Sequence, residues 1–586
     1  METSQMKFPD KLKLVIWDLD DTFWSGTLSE GGVAGIERNI NIVKTLSRRG
    51  IVNSISSKNT HEEAVSELKR LGVDELFVFK KINWAPKGEQ VRNTIKDMGL
   101  RDVNCVFIDD NLLNLNEVKA SCPDIFAFHP DEILDTLLEM PGARGKSDPQ
   151  MDRLAQYKIL EQRTQVQKEQ KLSNLDFLRT CDLRIEIDYN TNSHIDRIIE
   201  LLDRTNQLNY TKIRLLNEKD KANFLNDLKD YNTNAGVVSC SDKFGNYGIV
   251  GFFMVKNQFA KNPRLEHFVF SCRTMNMGLE AYIYRKLNKP EINVRGPVAY
   301  EIDQYGEVDW VTEGSTYLNA TETLSTVLLG PCHFLQLSNF IGAEHNFVQY
   351  VKDGSVVKFD CPAFLSGDRE GICTSDFIKQ GYSWSIEEFD EFHEAILSAD
   401  RIILSLEDML VDRNYVYENK MYFRYDGNKK INANIRSLHI NQRIKLLFDI
   451  LTKISEVSKP SCELIILDGL LTKSTPKHLQ QVRLTYSQFI YKYFGHTYKI
   501  FDLAKYAPSQ NVDGIHLDRL GYFNLSRAIE RNDSSCSMNF DYSNYDDRNN
   551  RRTRLNKFRQ RFIQFIGRDS ILYSWARGFN KYFNKL

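Results

Sequence analysis

The chain has 586 residues, of which 42% are hydrophobic and 26% are charged, and its formal net charge is −1. This length predicts several domains, and the composition is that of globular protein rather than of a fibrous or disordered chain. The balanced charge gives no general case for nucleic-acid binding. The ten cysteines include no C-x-x-C pair, which argues against a zinc framework or a disulfide scaffold.

Residues 1–140 alternate buried strand patterns with amphipathic helix patterns. The strand patterns are "KLVIW", "IVNSIS", "LFVFKKI" and "NCVFI". One of the helices between them begins with a predicted capping box that pairs Thr60 with Glu63. This alternation predicts an α/β domain with a doubly wound parallel sheet, in which sites form beyond the carboxyl ends of the strands.

Polar residues stand at those strand ends and at the start of one helix: Asp18, Asp20, Ser57, Asn59, Lys87 and Asp109. Carboxylates from neighbouring strands suit Mg²⁺. One carboxylate can then attack phosphorus, while Lys87 and Ser57 bind phosphoryl oxygens. A polar turn with a surface lysine is the alternative, but four elements in order at strand ends favour a metal-dependent phosphoryl site.

The segments "DLDDT", "SSKN", "NWAPKGE" and "FIDDN" resemble the four motifs of the haloacid dehalogenase (HAD) superfamily, and in particular its FkbH-like subgroup. The resemblance implies that Asp18 is the nucleophile and Asp20 the general acid/base. It also implies Mg²⁺ bound by Asp18, the Asp20 backbone carbonyl and Asp109. The subgroup usually continues D-D-N-P-x-E-R, where this chain has "DDNLLNLNEV". Short spacings between the motifs leave no room for a folded cap.

Residues 141–175 are charged and helix-prone, which predicts a linker helix. Residues 176–325 read as strand, helix, a hairpin that turns at "DKFGN", strand, helix and strand. This order predicts an α+β domain of the acyltransferase type. "TNQLNYTKIR" and "DKFGNYGIVG" resemble the GNAT-like half of FkbH-like proteins.

Members of that family take a glyceryl group from 1,3-bisphosphoglycerate, remove phosphate and load the glyceryl group on a carrier-protein thiol. Cys272, at a strand end in "SCRTMNMG", is the candidate thioester residue, with a buried structural thiol as the alternative. The family usually has S-C-R-x-x-G-R-G at this place.

Residues 326–535 predict a second α/β layer structure. Cys332 follows the strand "TVLLG", and "VDGIHL" places Asp513 and His516 three residues apart. This arrangement resembles SGNH-type esterases and acyltransferases, and the cysteine resembles the GSCFA-type branch. The resemblance implies that Asp513 orients His516 and that His516 activates Cys332. Asn339 and Ser405 are candidate oxyanion donors, and a degenerate binding domain is the alternative.

Residues 536–586 form a basic amphipathic tail: between 551 and 586, ten Lys or Arg residues accompany the single acidic residue Asp569. Such helices bind anionic membrane surfaces or pack on a neighbouring domain. The N-terminus has no apolar signal core and no apolar run spans a bilayer. We therefore expect a cytoplasmic protein, which the tail would bring to the inner membrane surface if it binds lipid rather than the neighbouring domain.

The main hypothesis is a Mg²⁺-dependent phosphatase coupled to acyl transfer. Its donor is a phosphorylated three-carbon acyl compound, its first acceptor a carrier-protein thiol, and its final acceptor a hydroxyl of a glycan or lipid-linked precursor of surface polysaccharide. The alternatives are a plain phosphatase whose later domains dock the substrate, and a non-enzymatic scaffold of a glycan assembly complex. Nucleic acid is not an expected partner.

Overall fold

The computed structural model describes residues 7–30, 32–170, 172–259, 262–314, 324–343, 345–348, 350–352, 355–357, 362–365, 368–381, 386–424, 433–470, 475–506 and 516–533. The chain divides into two compact units. Unit 1 is Met1–Leu228 with Asn232–Thr321, and unit 2 is Lys229–Tyr231 with Glu322–Leu586. The predicted tail, 536–586, lies outside the described residues. The finer domain boundaries stay predictions.

Five parallel strands form the first sheet of unit 1. In spatial order they are Lys81–Ile82, Val52–Ser57, Leu14–Trp17, Cys105–Ile108 and Phe126–Phe128. The helices between and after them are Glu37–Arg48, His61–Arg70, Lys87–Asp97, Leu112–Ser121 and Pro130–Ile133. In the central strand, Val15 and Trp17 enter one buried cluster and Leu14 and Ile16 another. Both faces of the sheet are therefore covered, as the alternation of strands and helices predicts.

Two local predictions in this region are wrong. Thr60 precedes the helix His61–Arg70, but its side chain makes no capping hydrogen bond, so the capping box does not form. The predicted strand "LFVFKKI" is reduced to Lys81–Ile82. Phe79 has a φ of 53°, which interrupts the extended backbone that a longer strand needs. A short antiparallel hairpin, Trp24–Ser25 with Ala34–Gly35, follows the first strand.

The predicted linker contains the helix Asp152–Gln170, followed by Asn174–Arg179. Leu154, Tyr157 and Leu160 are buried and belong to the same apolar cluster as one face of the first sheet. Burial of apolar surface is the main stabilising contribution to such packing. The linker helix is therefore part of the core of unit 1 and not a solvated spacer.

Six strands form the second sheet of unit 1, in the spatial order Glu291–Ile292, Arg264–Phe270, Gly245–Lys256, Thr233–Asp242, Leu183–Asp188 and Val311–Glu313. The four central strands pair antiparallel and the edge strands pair parallel. The sheet packs with the helices Ile195–Arg204, Glu218–Lys229 and Leu279–Lys286. The predicted element order is present, and the helix Glu218–Lys229 and the edge strand Val311–Glu313 add to it.

Five parallel strands form the third sheet, in unit 2, in the spatial order His345–Val348, Thr326–Gly330, Arg401–Leu404, Glu463–Leu467 and Lys499–Phe501. Its long helices are Ile386–Ser398, Ile440–Val457, Lys477–Phe494 and Arg519–Glu530. The short helices are His333–Leu337, Pro362–Leu365, Arg369–Thr374, Asp376–Gly381 and Asp408–Val411. The predicted α/β layer structure is present here.

Two small antiparallel sheets complete unit 2. One pairs Tyr350–Lys352 with Ser355–Val357, and the other contains Asn414–Glu418, Met421–Arg424 and Ile435–Ser437. Across the described parts of both units, none of the helices combines the length and apolar character that crossing a bilayer requires.

Candidate active sites

The carboxyl-end edge of the first sheet gathers the polar residues of its two central strands. Asp18 follows Trp17 and Asp109 follows Ile108, and these two apolar residues are register partners in adjacent parallel strands. Ser57 ends the strand on the other side of Leu14–Trp17. Asp18 and Asp109 are buried, which is costly for carboxylates unless a charge or hydrogen-bond donors compensate them. We call this group the Asp18 site.

The compensating charge is the ammonium group of Lys87. Lys87 begins the helix Lys87–Asp97, and its side chain is only 1% exposed. Its Nζ lies 2.6 Å from Asp18 Oδ1 and 2.6 Å from Asp109 Oδ2. Burial raises the pKa of the Asp18 carboxyl to about 6, although the Lys87 ammonium acts in the opposite direction. One cation therefore lies between two carboxylates in a site with little access to water.

A third carboxylate, Asp110, joins this pair. One oxygen from each of Asp18, Asp109 and Asp110 lies within 4.8 Å of the other two. Such a set of hard oxygen atoms fits Mg²⁺. The sequence named Asp18 and Asp109 as ligands together with the backbone carbonyl of Asp20, and it missed Asp110. The signal that could have found it is the doubled carboxylate in "FIDDN".

The side chain of Asp20 is held in a separate hydrogen-bond chain. Its Oδ1 accepts from Trp24 Nε1 at 2.8 Å, and its Oδ2 accepts from Asn59 Nδ2 at 3.1 Å. Asn59 Nδ2 also lies 3.0 Å from Ser57 Oγ. The structure thus brings Asp20, Ser57 and Asn59 together beside the buried carboxylates, in an orientation that leaves Asp20 outside the three-oxygen cluster.

The helix Leu112–Ser121 contains residues that the sequence did not single out. Asn114 Nδ2 donates to both oxygens of Asp109, at 3.0 and 3.2 Å. Glu117 Oε1 accepts from the backbone N–H of Gly88 at 2.9 Å, which ties this helix to the start of the Lys87 helix. Both residues lie in "DDNLLNLNEV", where the sequence departs from the pattern of the FkbH-like subgroup. The departing segment therefore makes its own contacts to the Asp18 site.

Cys272 lies at the opposite edge of the first sheet. It is partly exposed in a cavity of about 330 Å³ that is also lined by Lys13, the residue before the central strand Leu14–Trp17. Asp18 directly follows that strand. Five residue steps of extended chain separate Lys13 from Asp18, about 16 Å. The structure therefore does not bring Cys272 together with the Asp18 site.

The third sheet places Cys332 at its carboxyl-end edge. Cys332 Sγ lies 2.8 Å from Nε2 of His516, as a nucleophile and its base require. Gly330 permits the turn that precedes it, because a Cβ added there would lie 2.7 Å from the carbonyl oxygen of Ser405. Asp513 lies outside the described residues, so its predicted role stays a prediction.

Tyr231, which belongs to unit 2, contacts both members of this pair. Its ring stacks on His516 with centroids 4.1 Å apart, and its hydroxyl donates to the Cys332 carbonyl. Next to them, His333 Nε2 lies 3.4 Å from Glu407, which Arg483 also contacts. Burial disfavours ionisation of Glu407, but the Arg483 guanidinium and His333 hold its pKa below the usual value. The sequence missed all four residues, because their roles depend on packing between distant segments.

The two candidate oxyanion donors are placed differently. Ser405 follows the strand Arg401–Leu404 at the same sheet edge as Cys332, and its backbone N–H donates to Leu329. Asn339 follows the helix His333–Leu337, and its amide donates to Gln336 at 3.0 Å. Their roles as oxyanion donors stay predictions.

No protein-family model matches the chain, and no curated protein matches it significantly. Among solved structures, 25% of this chain is similar to 40% of the N-terminal part of a Bacteroides fragilis protein that contains a phosphatase domain complexed with Mg, at 24% identity and a TM-score of 0.19. The similar region thus spans less than half of that structure.

Two further similar structures are phosphatases. The cobalt-bound deoxy-D-mannose-octulosonate 8-phosphate phosphatase of Haemophilus influenzae shares 21% identity over 24% of this chain and 92% of its own, with a TM-score of 0.20. The Moraxella catarrhalis 3-deoxy-D-manno-octulosonate 8-phosphate phosphatase shares 20% identity over 18% of this chain and 63% of its own, with a TM-score of 0.16. With identities and TM-scores this low, the similarities assign no activity to this chain.

Proposed function

We propose that unit 1 is a Mg²⁺-dependent phosphatase of the HAD type that takes part in acyl transfer. The observation that carries the phosphatase part is the buried contact of Lys87 with Asp18 and Asp109, at 2.6 Å each. A site that concentrates carboxylates around one ammonium group at strand ends is suited to bind a metal ion and a phosphoryl group together.

Asp18, Asp109 and Asp110 would hold the metal, which is the ion named with two of the similar structures. Bound there, Mg²⁺ supplies positive charge to the phosphoryl oxygens. Lys87 adds a second positive charge, and the hydroxyl of Ser57 donates a hydrogen bond to a phosphoryl oxygen. Negative charge that develops on the phosphoryl group is thereby stabilised from two sides.

The proposed chemical steps use Asp18 as nucleophile and Asp20 as general acid/base, the roles that the HAD resemblance implies. An oxygen of Asp18 forms a bond to phosphorus as the bond to the leaving alcohol oxygen breaks, and Asp20 gives that oxygen its proton. Asp20 then removes a proton from a water molecule, which attacks the aspartyl phosphate and releases inorganic phosphate. The hydrogen bonds from Trp24 and Asn59 orient the Asp20 carboxyl group for both proton transfers.

The acyl-transfer part of the proposal uses the two partly exposed cysteines Cys272 and Cys332. The donor is a phosphorylated three-carbon acyl compound such as 1,3-bisphosphoglycerate. A thiolate attacks its acyl carbon and the acyl phosphate leaves, and hydrolysis of the remaining 3-phosphate ester at the Asp18 site leaves a glyceryl thioester. The acyl group then passes to a carrier-protein thiol and to a hydroxyl of a glycan or lipid-linked acceptor in surface polysaccharide synthesis. The Cys332–His516 distance of 2.8 Å supports a thiol that is activated by a base.

Phosphate release by the full chain tests the phosphatase part. With Mg²⁺ and a panel of three-carbon and sugar-acid phosphate monoesters, the wild type releases phosphate, and both EDTA and Asp18→Asn abolish the release. Asp21→Asn is the matched control, because Asp21 is exposed and its Oδ1 accepts from the Gly26 N–H at 2.8 Å. Equal rates for Asp18→Asn and wild type would contradict the assignment.

Intact-protein mass spectrometry tests the acyl part. After incubation with 1,3-bisphosphoglycerate, we expect a glyceryl adduct without phosphate that maps to Cys272 or Cys332. Coupling of the two activities would be ruled out if the dephosphorylated adduct formed equally in Asp18→Asn. It would also be ruled out if no adduct formed in the presence of any candidate carrier protein.

One observation favours the plain phosphatase as a second candidate. Asp18 and Cys272 lie at opposite edges of the first sheet, so a single small molecule cannot contact both. This candidate predicts phosphate release without any cysteine adduct, and no effect of Cys332→Ala on that release.

A further inference from the structure

A cavity in unit 1 has strongly cationic walls. It lies where the amino ends of the first sheet, the helix Asp152–Gln170 and the turn after the strand Arg264–Phe270 meet. Six cationic and three anionic side chains are among its lining residues. We call it the Arg273 cavity and define it by Lys13, Arg153, Tyr157, Arg204, Cys272 and Arg273.

Arg273 is the most deeply buried of these cations, with 8% of its surface exposed. Its Nε lies 3.2 Å from Ser271 Oγ, but its Nη1 has no hydrogen-bond partner. Among the described residues, none forms an ion pair with it. Burial lowers the pKa of its guanidinium to about 9. A buried guanidinium that lines a cavity without a counter-ion is a binding group for an anion.

Two further cations of the cavity also lack a carboxylate partner within the part of the chain that the structure describes. The Nζ of Lys13 donates to the carbonyl oxygen of Arg204 at 3.3 Å, and the Nε of Arg153 is buried without a hydrogen-bond partner. Burial and the Arg153 charge lower the pKa of Lys13 to about 8. Three positive groups therefore face the same space.

Two of the three carboxylates in the walls, Glu200 and Asp148, already have partners. Glu200 pairs with Arg197 at 2.8 Å and with Arg204 at 3.0 Å. Asp148 accepts from the backbone N–H groups of Asp152 and Arg153, at the start of the linker helix. The cavity therefore keeps positive charge that the protein does not neutralise.

We propose that the Arg273 cavity binds the phosphate group of a small phosphate monoester, at a site separate from the Asp18 site. A phosphate dianion accepts hydrogen bonds from a planar guanidinium fork and from an ammonium group at once. The volume of about 330 Å³ admits a small phosphorylated molecule or the end of a phosphorylated arm. Cys272 lines the same cavity, so a bound phosphate monoester covers its thiol.

The position of the cavity determines whether its ligand can be hydrolysed. The Asp18 carboxylate lies at the other end of the strand Leu14–Trp17, so it cannot attack a phosphate held by Arg273. The ligand is therefore bound and not hydrolysed in this cavity. This inference stands without the proposed function, because it rests on charge and burial at the other edge of the sheet.

Protection of Cys272 from alkylation tests the proposal on the full chain. Iodoacetamide labelling is followed by peptide mass spectrometry in EDTA at pH 7, with inorganic phosphate or with chloride of equal ionic strength. We expect phosphate to slow labelling of Cys272 at least about threefold, and to leave the partly exposed Cys373 and Cys462 unchanged as internal references. An equal rate for Cys272 with and without phosphate would overturn the proposal.

Variants assign the effect to the cavity. The protection ratio is the rate of Cys272 labelling without phosphate divided by the rate with phosphate. We expect it to fall to about one in Arg273→Met and in Lys13→Met. The matched control Arg184→Met removes an exposed arginine paired with Asp182 and should keep the wild-type ratio. Circular dichroism verifies the fold, and Lys13→Met serves if Arg273→Met fails to fold. Full protection in a folded Arg273→Met or Lys13→Met variant contradicts the proposal.

The same assay identifies the source of the phosphate group. The probes are inorganic phosphate, 3-phosphoglycerate and 4′-phosphopantetheine, each titrated until protection is half-maximal. If 3-phosphoglycerate protects at a lower half-maximal concentration than the other two probes, the ligand is a metabolite. If phosphopantetheine does so, the ligand is the arm of a carrier protein. Equal values indicate that the phosphate group alone is recognised. Each of these outcomes supports the cavity as a phosphate site, and protection by none of the probes refutes it.

Discussion

At the carboxyl ends of the first sheet, the buried ammonium of Lys87 lies between two carboxylates, whereas at the amino ends the buried guanidinium of Arg273 has no ion pair among the described residues. Both groups are cations with little exposed surface. The first balances charge within the protein, and the second keeps charge available for a ligand. The contribution of a buried cation to stability therefore depends on its counter-ions. Substitutions of Lys87 and Arg273 can distinguish a structural cation from a ligand-binding one.

The largest expected effect is that of Lys87→Met on stability. Removing the ammonium leaves Asp18 and Asp109 buried without a counter-ion, which costs about 3–5 kcal/mol of unfolding free energy. Urea unfolding of the full chain in EDTA, followed through the transition of unit 1, measures the loss. A change below about 1 kcal/mol would show that the two carboxylates are already neutral.

Arg273→Met should act in the opposite direction. Because no carboxylate compensates the guanidinium, replacing it by an apolar side chain of similar length leaves the unfolding free energy equal or higher. The same urea titration without phosphate measures this, with Lys87→Met as the contrasting variant. A loss as large as that of Lys87→Met would mean that Arg273 has a structural counter-ion.

Phosphate protection of Cys272 should depend on pH through Lys13. Its pKa is lowered to about 8, so the ammonium is present below that pH and is lost as pH rises through it. Since the charged form attracts the anion, the affinity for phosphate falls above about pH 8, by at most about tenfold per pH unit until Arg273, whose pKa is about 9, also begins to lose its proton. The rate of Cys272 labelling is measured at each pH with and without phosphate. The ratio of the two rates removes the pH dependence of alkylation itself. A ratio that rises above pH 8 would contradict the role of Lys13.

A modest loss of stability is expected from Asn114→Ala. The change removes two hydrogen bonds to Asp109 and should lower the unfolding free energy by about 1 kcal/mol. Leu113→Ala is the matched control, because Leu113 is next in the chain and 78% exposed. Thermal unfolding of both variants measures the difference. Equal melting temperatures would mean that the Leu112–Ser121 helix does not support the Asp18 site.

The sequence predicts the Asp18 site well because parallel strands bring their carboxyl ends to one edge. Asp18, Ser57 and Asp109 follow from strand order alone, and Lys87 follows from its place at the start of a helix. The contacts of Asn114 could not be predicted, since they depend on which face the helix Leu112–Ser121 turns to the sheet.

The Arg273 cavity was hidden from the sequence for a different reason. Its positive charge comes from Lys13 and Arg273, which line the same space although they are about 260 residues apart in the chain. Local sequence patterns do not indicate that two such distant segments are in contact. The Cys332–His516 contact could be predicted across 184 residues, because a short motif, "DGIHL", marks one partner.

The buried helix Asp152–Gln170 has a practical consequence for dissecting the protein. A fragment that ends at residue 140 would lose Leu154, Tyr157 and Leu160 and leave their apolar partners on the first sheet exposed to water. Such a surface promotes aggregation. A fragment cut after Gln170 keeps that face covered, so we expect the domain of the first sheet to be obtained in isolation only with its linker helix attached.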